Sequence, residues 1–271
     1  MRRKFFMAKF QIIFSDLDGT LLNSAHHVPA DTAQVLRVLQ RRGIPFVIVT
    51  ARMPAAAYPL QAEIGTRGPL IAYGGALALD EGRRPILSLR LSPEDTEAVR
   101  DFMHRQAFDA ACSVYADDNW YAENPADPRI VDESRITGVP VLPLSSAPTG
   151  LHPHKIFYIT QKASAPSAIQ ALQTQFKNLT ISYSGWGHIE IMHPQATKAE
   201  GMKSICAHLG ISLTKALAFG DSLNDVSMLS AAGLGVAVDN APLEVKKTAD
   251  RVCSSNEQEG VKQTLEKLFD I

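Results

Sequence analysis

Two aspartates separated by one residue, Asp16 and Asp18, follow the apolar run Phe10 to Ser15 and precede Gly19. A carboxylate pair of this kind could hold a hard cation through oxygen, as magnesium requires. One carboxylate could attack phosphorus while the other manages the leaving-group proton. Gly19 would let the chain turn tightly beside a bound phosphate. The same residues also close an ordinary Asx turn after a strand, so the pair alone decides nothing.

Three more segments offer complementary chemistry. Thr50 ends the apolar run Phe46 to Val49, and its hydroxyl with the N–H of Ala51 could bind a phosphoryl oxygen. Lys198, preceded by Thr197, could neutralise both a carboxylate pair and a phosphate. Gly220-Asp221-Ser222-Leu223-Asn224-Asp225 follows a further apolar run, Ala216 to Phe219. Asp221 would complete a cation site, Asn224 could hydrogen-bond phosphate, and Asp225 could support the lysine or the metal shell. Each segment has a plainer reading as a strand end, a surface lysine or a helix cap. It is their joint occurrence that carries weight.

The elements that must position them alternate. Apolar runs at Phe10 to Ser15, Phe46 to Thr50 and Leu70 to Tyr73 read as buried strands. Helical patterns at Asp31 to Arg42, closed by Gly43, and at Ala55 to Ile64, entered through Pro54, lie between them. The rhythm returns in a helix through Met202, Ile205, Cys206 and Leu209, strands at Ala216 to Phe219 and Leu234 to Val238, and a helix near Asp225 to Ala232. A last helix is expected near Asn256, with Glu259 completing a capping box. Strands separated by helices imply parallel pairing with right-handed crossovers. In such a sheet the carboxyl ends of the strands border the ligand crevice, and strand alternation would send Asp16 and Asp18 to one side.

The middle of the chain, about Leu89 to Trp186, differs. Helices at Glu94 to Gln106 and Ser164 to Phe176 flank strands near Cys112 to Ala122, Lys155 to Thr160, Leu179 to Ser184 and His188 to Met192. A Pro-rich stretch from Asn124 to Pro153 interrupts them. Alternating Ile181, Tyr183, Ile189 and Ile191 suggest an antiparallel sheet with one face covered by helices. The expected fold is α/β, a parallel-sheet core of residues 1–88 and 190–271 carrying an inserted α+β domain at 89–189.

Composition narrows the class. The 271 residues are 45% hydrophobic and 20% charged with a net charge of −1, which gives no electrostatic reason for nucleic acid or an anionic membrane as partner. No apolar run approaches the length of a membrane span. The basic opening Met1 to Phe6 lacks the apolar region and cleavage site of a signal peptide, and Met7 reads as an alternative initiator. Cys112, Cys206 and Cys253 are widely spaced and form no CxxC pair, and the eight histidines show no metal-ligand spacing. A cytoplasmic protein is expected; the oligomeric state is open.

Together, Asp16-Leu-Asp-Gly-Thr-Leu-Leu, the strand ending in Thr50, Lys198 and Gly220-Asp-Ser-Leu-Asn-Asp resemble the four motifs of the haloacid dehalogenase superfamily. Val236-Ala-Val-Asp-Asn-Ala, Ala249-Asp250 and Glu259-Gly260-Val261 are similar to its Cof-type, type IIB cap, phosphatase branch. The resemblance implies a Rossmann-like core with a cap that closes over the substrate. It implies that Asp16 is the nucleophile, forming an aspartyl-phosphate, and that Asp18 is general acid and then base. It implies Mg2+ held by Asp16, the main-chain carbonyl of Asp18, and Asp221. Phosphate would contact the Leu17 and Ala51 main chain, Thr50, Lys198 and Asn224, with Asp225 supporting. Two positions depart from the branch: Gly74-Gly75 replaces its Asn-Gly pair, and Ala199 replaces the glycine after the lysine.

The implied activity is Mg2+-dependent hydrolysis of small phosphomonoesters such as sugar phosphates or phosphorylated cofactors. A phosphotransferase or mutase would use the same aspartyl-phosphate. A dinucleotide-binding oxidoreductase would need Gly-x-Gly-x-x-Gly after the first strand, which is missing. Acids at all the motif positions argue against a silent binding module. His188 and Glu190 read either as substrate contacts or as cross-strand surface pairs, and Trp120 and Tyr121 either as an apolar floor of the inserted domain or, preferably, as core or sheet-face packing.

Overall fold

The computed structural model describes residues 9–183 and 187–271. The choice between Met1 and Met7, the strand end at Ser184 and the boundary at Trp186 lie outside the described residues. The chain begins with β1 (Ile12–Ser15), α1 (Ala30–Arg41), β2 (Phe46–Val49), α2 (Pro54–Ile64) and β3 (Leu70–Ala72), then β4 (Leu77–Leu79) and β5 (Pro85–Ser88). It continues through α3 (Pro93–Arg105), β6 (Ala110–Ala116), β7 (Asn119–Ala122), α4 (Pro128–Thr137), β8 (Leu142–Pro143), β9 (Lys155–Thr160), α5 (Ala165–Gln175), β10 (Thr180–Tyr183) and β11 (His188–Met192). It closes with α6 (Lys198–Leu209), β12 (Ala216–Gly220), α7 (Val226–Ala231), β13 (Leu234–Val238), α8 (Leu243–Thr248), β14 (Arg251–Cys253) and α9 (Gly260–Phe269).

These elements form two compact units. One holds the residues up to Ala51 with Ala57–Leu87 and Thr197–Ile271; the other holds Arg52–Ala56 and Ser88–Ala196. The first unit is built on a sheet in the order β14-β13-β12-β1-β2-β3-β4-β5. From β14 to β3 the pairing is parallel. Such strands are buried on both faces, which is why β1, β2, β12 and β13 are fully buried and apolar but for Ser15. Helices α6, α7 and α8 pack Met202, Ile205, Met228, Leu229 and Val245 against Ile12, Phe14, Val47 and Val49. Leu36 and Leu39 of α1 and Val261 and Leu265 of α9 are likewise buried.

The β1 strand lies between β2 and β12, with Ser15 in register with Ile48 and with Phe219. The residues that follow these three strands therefore leave the sheet along one edge. This places Asp16, Thr50 and Asp221 at the carboxyl ends of adjacent strands, the position that topology favours for ligands.

The second unit is a sheet in the order β10-β11-β9-β6-β7-β8, antiparallel except for the short β7–β8 pair. On one face, Val99 and Met103 of α3 and Ala168 and Leu172 of α5 pack against Cys112, Ile156, Tyr158, Ile189 and Ile191. All of β11 belongs to this sheet, because it is bonded between β9 and β10. The unit therefore runs to Ala196, beyond the boundary expected at 189/190.

Several expectations are corrected. The Pro-rich stretch contains α4, whose N-terminus is capped by Asp127 before Pro128 and whose C-terminus is closed by left-handed Gly138. Its apolar pattern is weak: Ile130 is its buried residue, while Val131 and Ile136 are exposed. β4 runs antiparallel to β3, so the sheet is mixed at that edge. The last helix begins at Gly260, not Asn256, because Glu259 has a positive φ of 54° and breaks the turn. The Glu259 carboxylate accepts from the Thr32 hydroxyl at 2.8 Å in place of forming a capping box. Among the described residues no helix is long and apolar enough to cross a membrane.

Candidate active site

β1 ends at Ser15, so Asp16 and Asp18 are not alternating strand residues as expected. The Asp16 N–H donates to the Phe219 carbonyl at 3.0 Å, fixing it to β12, and its side chain is buried. The chain then folds back: the N–H groups of Thr20, Leu21 and Leu22 all reach the Leu17 carbonyl, at 3.3, 3.0 and 2.9 Å. Asp18 lies in this turn and is exposed, with an oxygen 3.8 Å from His26 Nδ1. The turn thus separates a buried carboxylate from one in contact with water.

Lys198 opens α6 behind Thr197, whose hydroxyl accepts from the Glu200 N–H at 3.2 Å. Its ammonium is buried, 2.5 Å from Asp16 Oδ1 and 2.6 Å from Asp225 Oδ1. Burial alone would lower the Lys198 pKa; the adjacent carboxylates overcome this and hold it above its usual value. Burial pushes the Asp16 carboxyl well above the ordinary carboxylate range against the pull of Lys198, and Asp225, Asp221 and Asp18 push it further.

Asp225 does two jobs at once. Its Oδ2 accepts from the N–H groups of Asp221 and Ser222, at 3.0 and 2.9 Å, and from the Ser222 hydroxyl at 3.0 Å. This is a helix-capping arrangement, and the other oxygen of the same carboxylate meets the Lys198 ammonium. The fold of this loop delivers Asp221, whose Oδ1 accepts from the Thr20 hydroxyl at 2.7 Å. Gly19 sits against the same carboxylate: a β-carbon there would lie 2.6 Å from Asp221 Oδ2. Burial raises Asp221 to about 6, with the Thr20 hydrogen bond opposing.

Asp16, Asp221 and Asp225 each present an oxygen within 4.8 Å of the others. This donor set, all carboxylate oxygen with neither nitrogen nor sulfur, suits a hard cation such as Mg2+. Burial raises Asp16 and Asp221 most, and the neighbouring carboxylates add a repulsion that a divalent ion would relieve. The residues present fit the ion. The Asp18 carboxylate is outside this cluster, so any share it has in holding the ion is through its main chain.

Thr50 is buried, donating its N–H to the Ile71 carbonyl at 2.8 Å and accepting from the Gly74 N–H at 2.9 Å, with Ala51 half-buried beside it. The Leu17 side chain is fully buried and anchors the turn. Asn224 is exposed and its side-chain amide lies 2.6 Å from the Ser222 hydroxyl oxygen, so it is not drawn into the lysine–carboxylate cluster. Thr20 was not singled out from the sequence, while Gly75 and Asn240 stood only inside the Gly74-Gly75 pair and the Val236 to Ala241 segment, with no role assigned. Thr20 had a signal, since it lies in the first motif; Asn240, which donates to the Gly19 carbonyl at 2.7 Å, is 221 residues away from it.

In the second unit, Glu190 is not a surface residue. It is buried and paired with Lys155 at 2.8 Å, while the Lys155 ammonium lies 5.1 Å from the rings of both Tyr115 and Phe157. Trp120 stacks on Tyr115 at 5.4 Å, and the His188 ring meets Phe157 at 5.0 Å.

Comparison with known proteins adds an independent line. The sequence profile of the haloacid dehalogenase-like hydrolases matches residues 13–265. A protein of Haemophilus influenzae is 31% identical over 260 residues, covering 96% of this chain and 98% of its own length. The HMP-PP phosphatase of Serratia proteamaculans is 25% identical over 240 residues, covering 88% and 86%. Among solved structures, a sugar phosphatase of HAD subclass IIB superposes with a TM-score of 0.80 at 22% identity, covering 96% of this chain and 100% of that one.

Proposed function

Because the chain belongs to the haloacid dehalogenase-like hydrolases, we propose that it is a Mg2+-dependent phosphatase. Its substrate would be a small phosphomonoester, a sugar phosphate or a phosphorylated cofactor, cleaved through an aspartyl-phosphate on Asp16. One observation carries the reading: a buried lysine clamped between Asp16 and Asp225 at 2.5 and 2.6 Å, with Asp221 alongside. A lysine and three acids converging on one strand edge have little structural reason to be buried together, since desolvating them is costly.

Phosphoryl transfer asks the protein mainly for positioning and charge neutralisation. Asp16, fixed to β12 through its main chain, attacks phosphorus as the ester oxygen departs. Asp18, in contact with water, gives that oxygen its proton. It then takes a proton from the water that cleaves the aspartyl-phosphate, returning Asp16 as a carboxylate. Lys198 balances the charge of Asp16 and of the phosphate, while Thr50, the N–H groups of Leu17 and Ala51, and Asn224 hold the phosphoryl oxygens. Mg2+, held by Asp16, the Asp18 carbonyl and Asp221, would supply positive charge facing the phosphate. The unit of Ser88–Ala196 is the cap, and its loops select the organic part of the substrate.

Purified protein with Mg2+ should release phosphate from an aryl phosphate, and Asp16→Asn should abolish release. Retained turnover in that variant would remove Asp16 as nucleophile. Chelation should stop turnover and added Mg2+ restore it, whereas Ca2+ should inhibit because its looser coordination suits in-line attack poorly. Unchanged activity in chelator would remove the metal role.

A further inference from the structure

The turn that follows Asp16 is tied down by residues outside the four motifs that carry chemistry. Between Asp16 and Leu22 the N–H groups of Thr20, Leu21 and Leu22 converge on one carbonyl, that of Leu17. The carbonyls of Gly19 and Leu22 are met by two asparagines. Asn240 Nδ2 donates to the Gly19 carbonyl at 2.7 Å, and Asn256 Nδ2 donates to the Leu22 carbonyl at 2.9 Å. The two are joined, since the Asn256 N–H donates to Asn240 Oδ1 at 3.1 Å. Both ends of the Asn240 amide are therefore engaged, and its orientation is set.

The peptide that Asn240 grips has consequences on its other side. It links Gly19, whose α-carbon faces the Asp221 carboxylate, to Thr20, whose hydroxyl donates to Asp221 Oδ1. Gly19 has a φ of 82°, a conformation whose main chain has no side chain to restrain it. Rotation of the Gly19–Thr20 peptide would move the Thr20 hydroxyl off Asp221. The N–H of this peptide is held inside the turn by the Leu17 carbonyl at 3.3 Å, and its carbonyl is held from outside the turn by the shorter bond from Asn240.

We propose that Asn240, backed by Asn256, is a positioning residue that sets the affinity of the site for Mg2+ by fixing the Gly19–Thr20 peptide against Asp221. The inference rests on the metal reading of the site given above. Partners of metal ligands commonly change metal affinity by about 10- to 100-fold when removed. Asn240 is exposed, so its loss leaves the core packing intact.

Mg2+ binding is measured by titration calorimetry on the substrate-free protein, for wild type, Asn240→Ala and Asn240→Leu. The Mg2+ dependence of aryl phosphate hydrolysis is followed in parallel. Both variants should bind Mg2+ about 10-fold more weakly and regain near wild-type kcat at saturating Mg2+. Their thermal midpoints without metal should match the wild type. Asn256→Ala, which leaves the Asn240–Gly19 bond in place, should weaken Mg2+ binding less. Unchanged Mg2+ affinity in both Asn240 variants would overturn the proposal, as would a loss of kcat that Mg2+ does not recover. A wild-type protein that binds no Mg2+ and turns over equally in chelator would instead overturn the metal reading, and this inference with it.

Discussion

Gly75 lies so close to Thr197 that a β-carbon on it would sit 1.9 Å from the Thr197 carbonyl oxygen. Thr197 caps the helix that begins with Lys198, so the turn after β3 is packed directly against the segment that aims the buried lysine. Gly75 also has a φ of 104°, which a side chain rarely adopts. The neighbouring Gly74, at φ 59° and ψ 21°, is left-handed, a region asparagine also visits. The departure from the branch's Asn-Gly pair therefore removes a side chain at a position whose backbone either residue tolerates, while the glycine that cannot change is kept.

Gly75→Ala is expected to push the start of α6 away from β3. Stability should fall by about 3 kcal/mol or more through strain and overlap. Activity should drop at least ~100-fold because Lys198 moves off Asp16. Denaturant unfolding and steady-state kinetics on the purified variant check both. Wild-type stability in Gly75→Ala would show that the contact is easily relaxed.

The two carboxylates on Lys198 should behave oppositely when neutralised. Asp225 is fully buried and accepts from the lysine, two N–H groups and a hydroxyl. Asp225→Asn should cost about 3 kcal/mol or more, because it removes a partner from a buried charge and leaves loop donors facing an amide. Asp16 already sits in a field of carboxylates that disfavours its charge. Asp16→Asn, although inactive, should unfold at the same or higher denaturant concentration than the wild type in the absence of Mg2+. Urea unfolding of both variants in chelator decides it; a less stable Asp16→Asn would mean that its bond to Lys198 outweighs the repulsion.

What was legible in the sequence was local. Asp16, Asp221 and Asp225 follow their strands within a few residues, so a buried run and its acidic exit could be read together, and parallel pairing follows from the alternating rhythm, whereas the placing of β12 beside β1 does not. Lys198 was legible only in company, since nothing in its own surroundings distinguishes it from a surface lysine. The Asn240–Gly19 bond spans 221 residues and depends on β13 lying beside β12, which no short pattern encodes. The helix α4 escaped because prolines hid a capped segment with a single buried apolar residue. Glu259 misled because Ser-Asn-Glu-Gln-Glu has the composition of a helix start, yet Thr32 offered its carboxylate a partner from another helix.

The buried pair Lys155–Glu190 in the second unit gives a third test. Its partners are 2.8 Å apart, and aromatic rings flank the ammonium. Glu190→Gln should destabilise by about 3 kcal/mol, since it removes the carboxylate charge paired with a buried lysine. The double variant Lys155→Met with Glu190→Leu should recover most of that loss, because two apolar side chains avoid the desolvation cost altogether. A double-mutant cycle on unfolding free energies measures it. Equal losses in the single and double variants would show that the pair serves packing rather than charge balance.

His154 should give the protein a stability loss on acidification. Its ring is fully buried, with Nδ1 accepting from the Asp117 N–H at 3.2 Å and Nε2 facing the Ser88 hydroxyl at 3.0 Å. Because Nδ1 faces a donor, the proton of the neutral ring is on Nε2, and charging the ring would set a second proton against the Asp117 N–H. Burial first, and then the Arg90 guanidinium, lower its pKa from 6.5 to about 4, with Asp117 opposing. A pKa depressed in the folded state means that the unfolded chain takes up the proton first. The contribution is therefore fully present above about pH 6.5 and is lost as pH falls towards 4, a change of about 2–3 kcal/mol. Unfolding free energy measured across pH 4 to 7 should fall less steeply in His154→Asn, which cannot titrate and keeps an acceptor near Nδ1. Parallel pH profiles for the two proteins would show that the buried histidine does not drive the acid sensitivity.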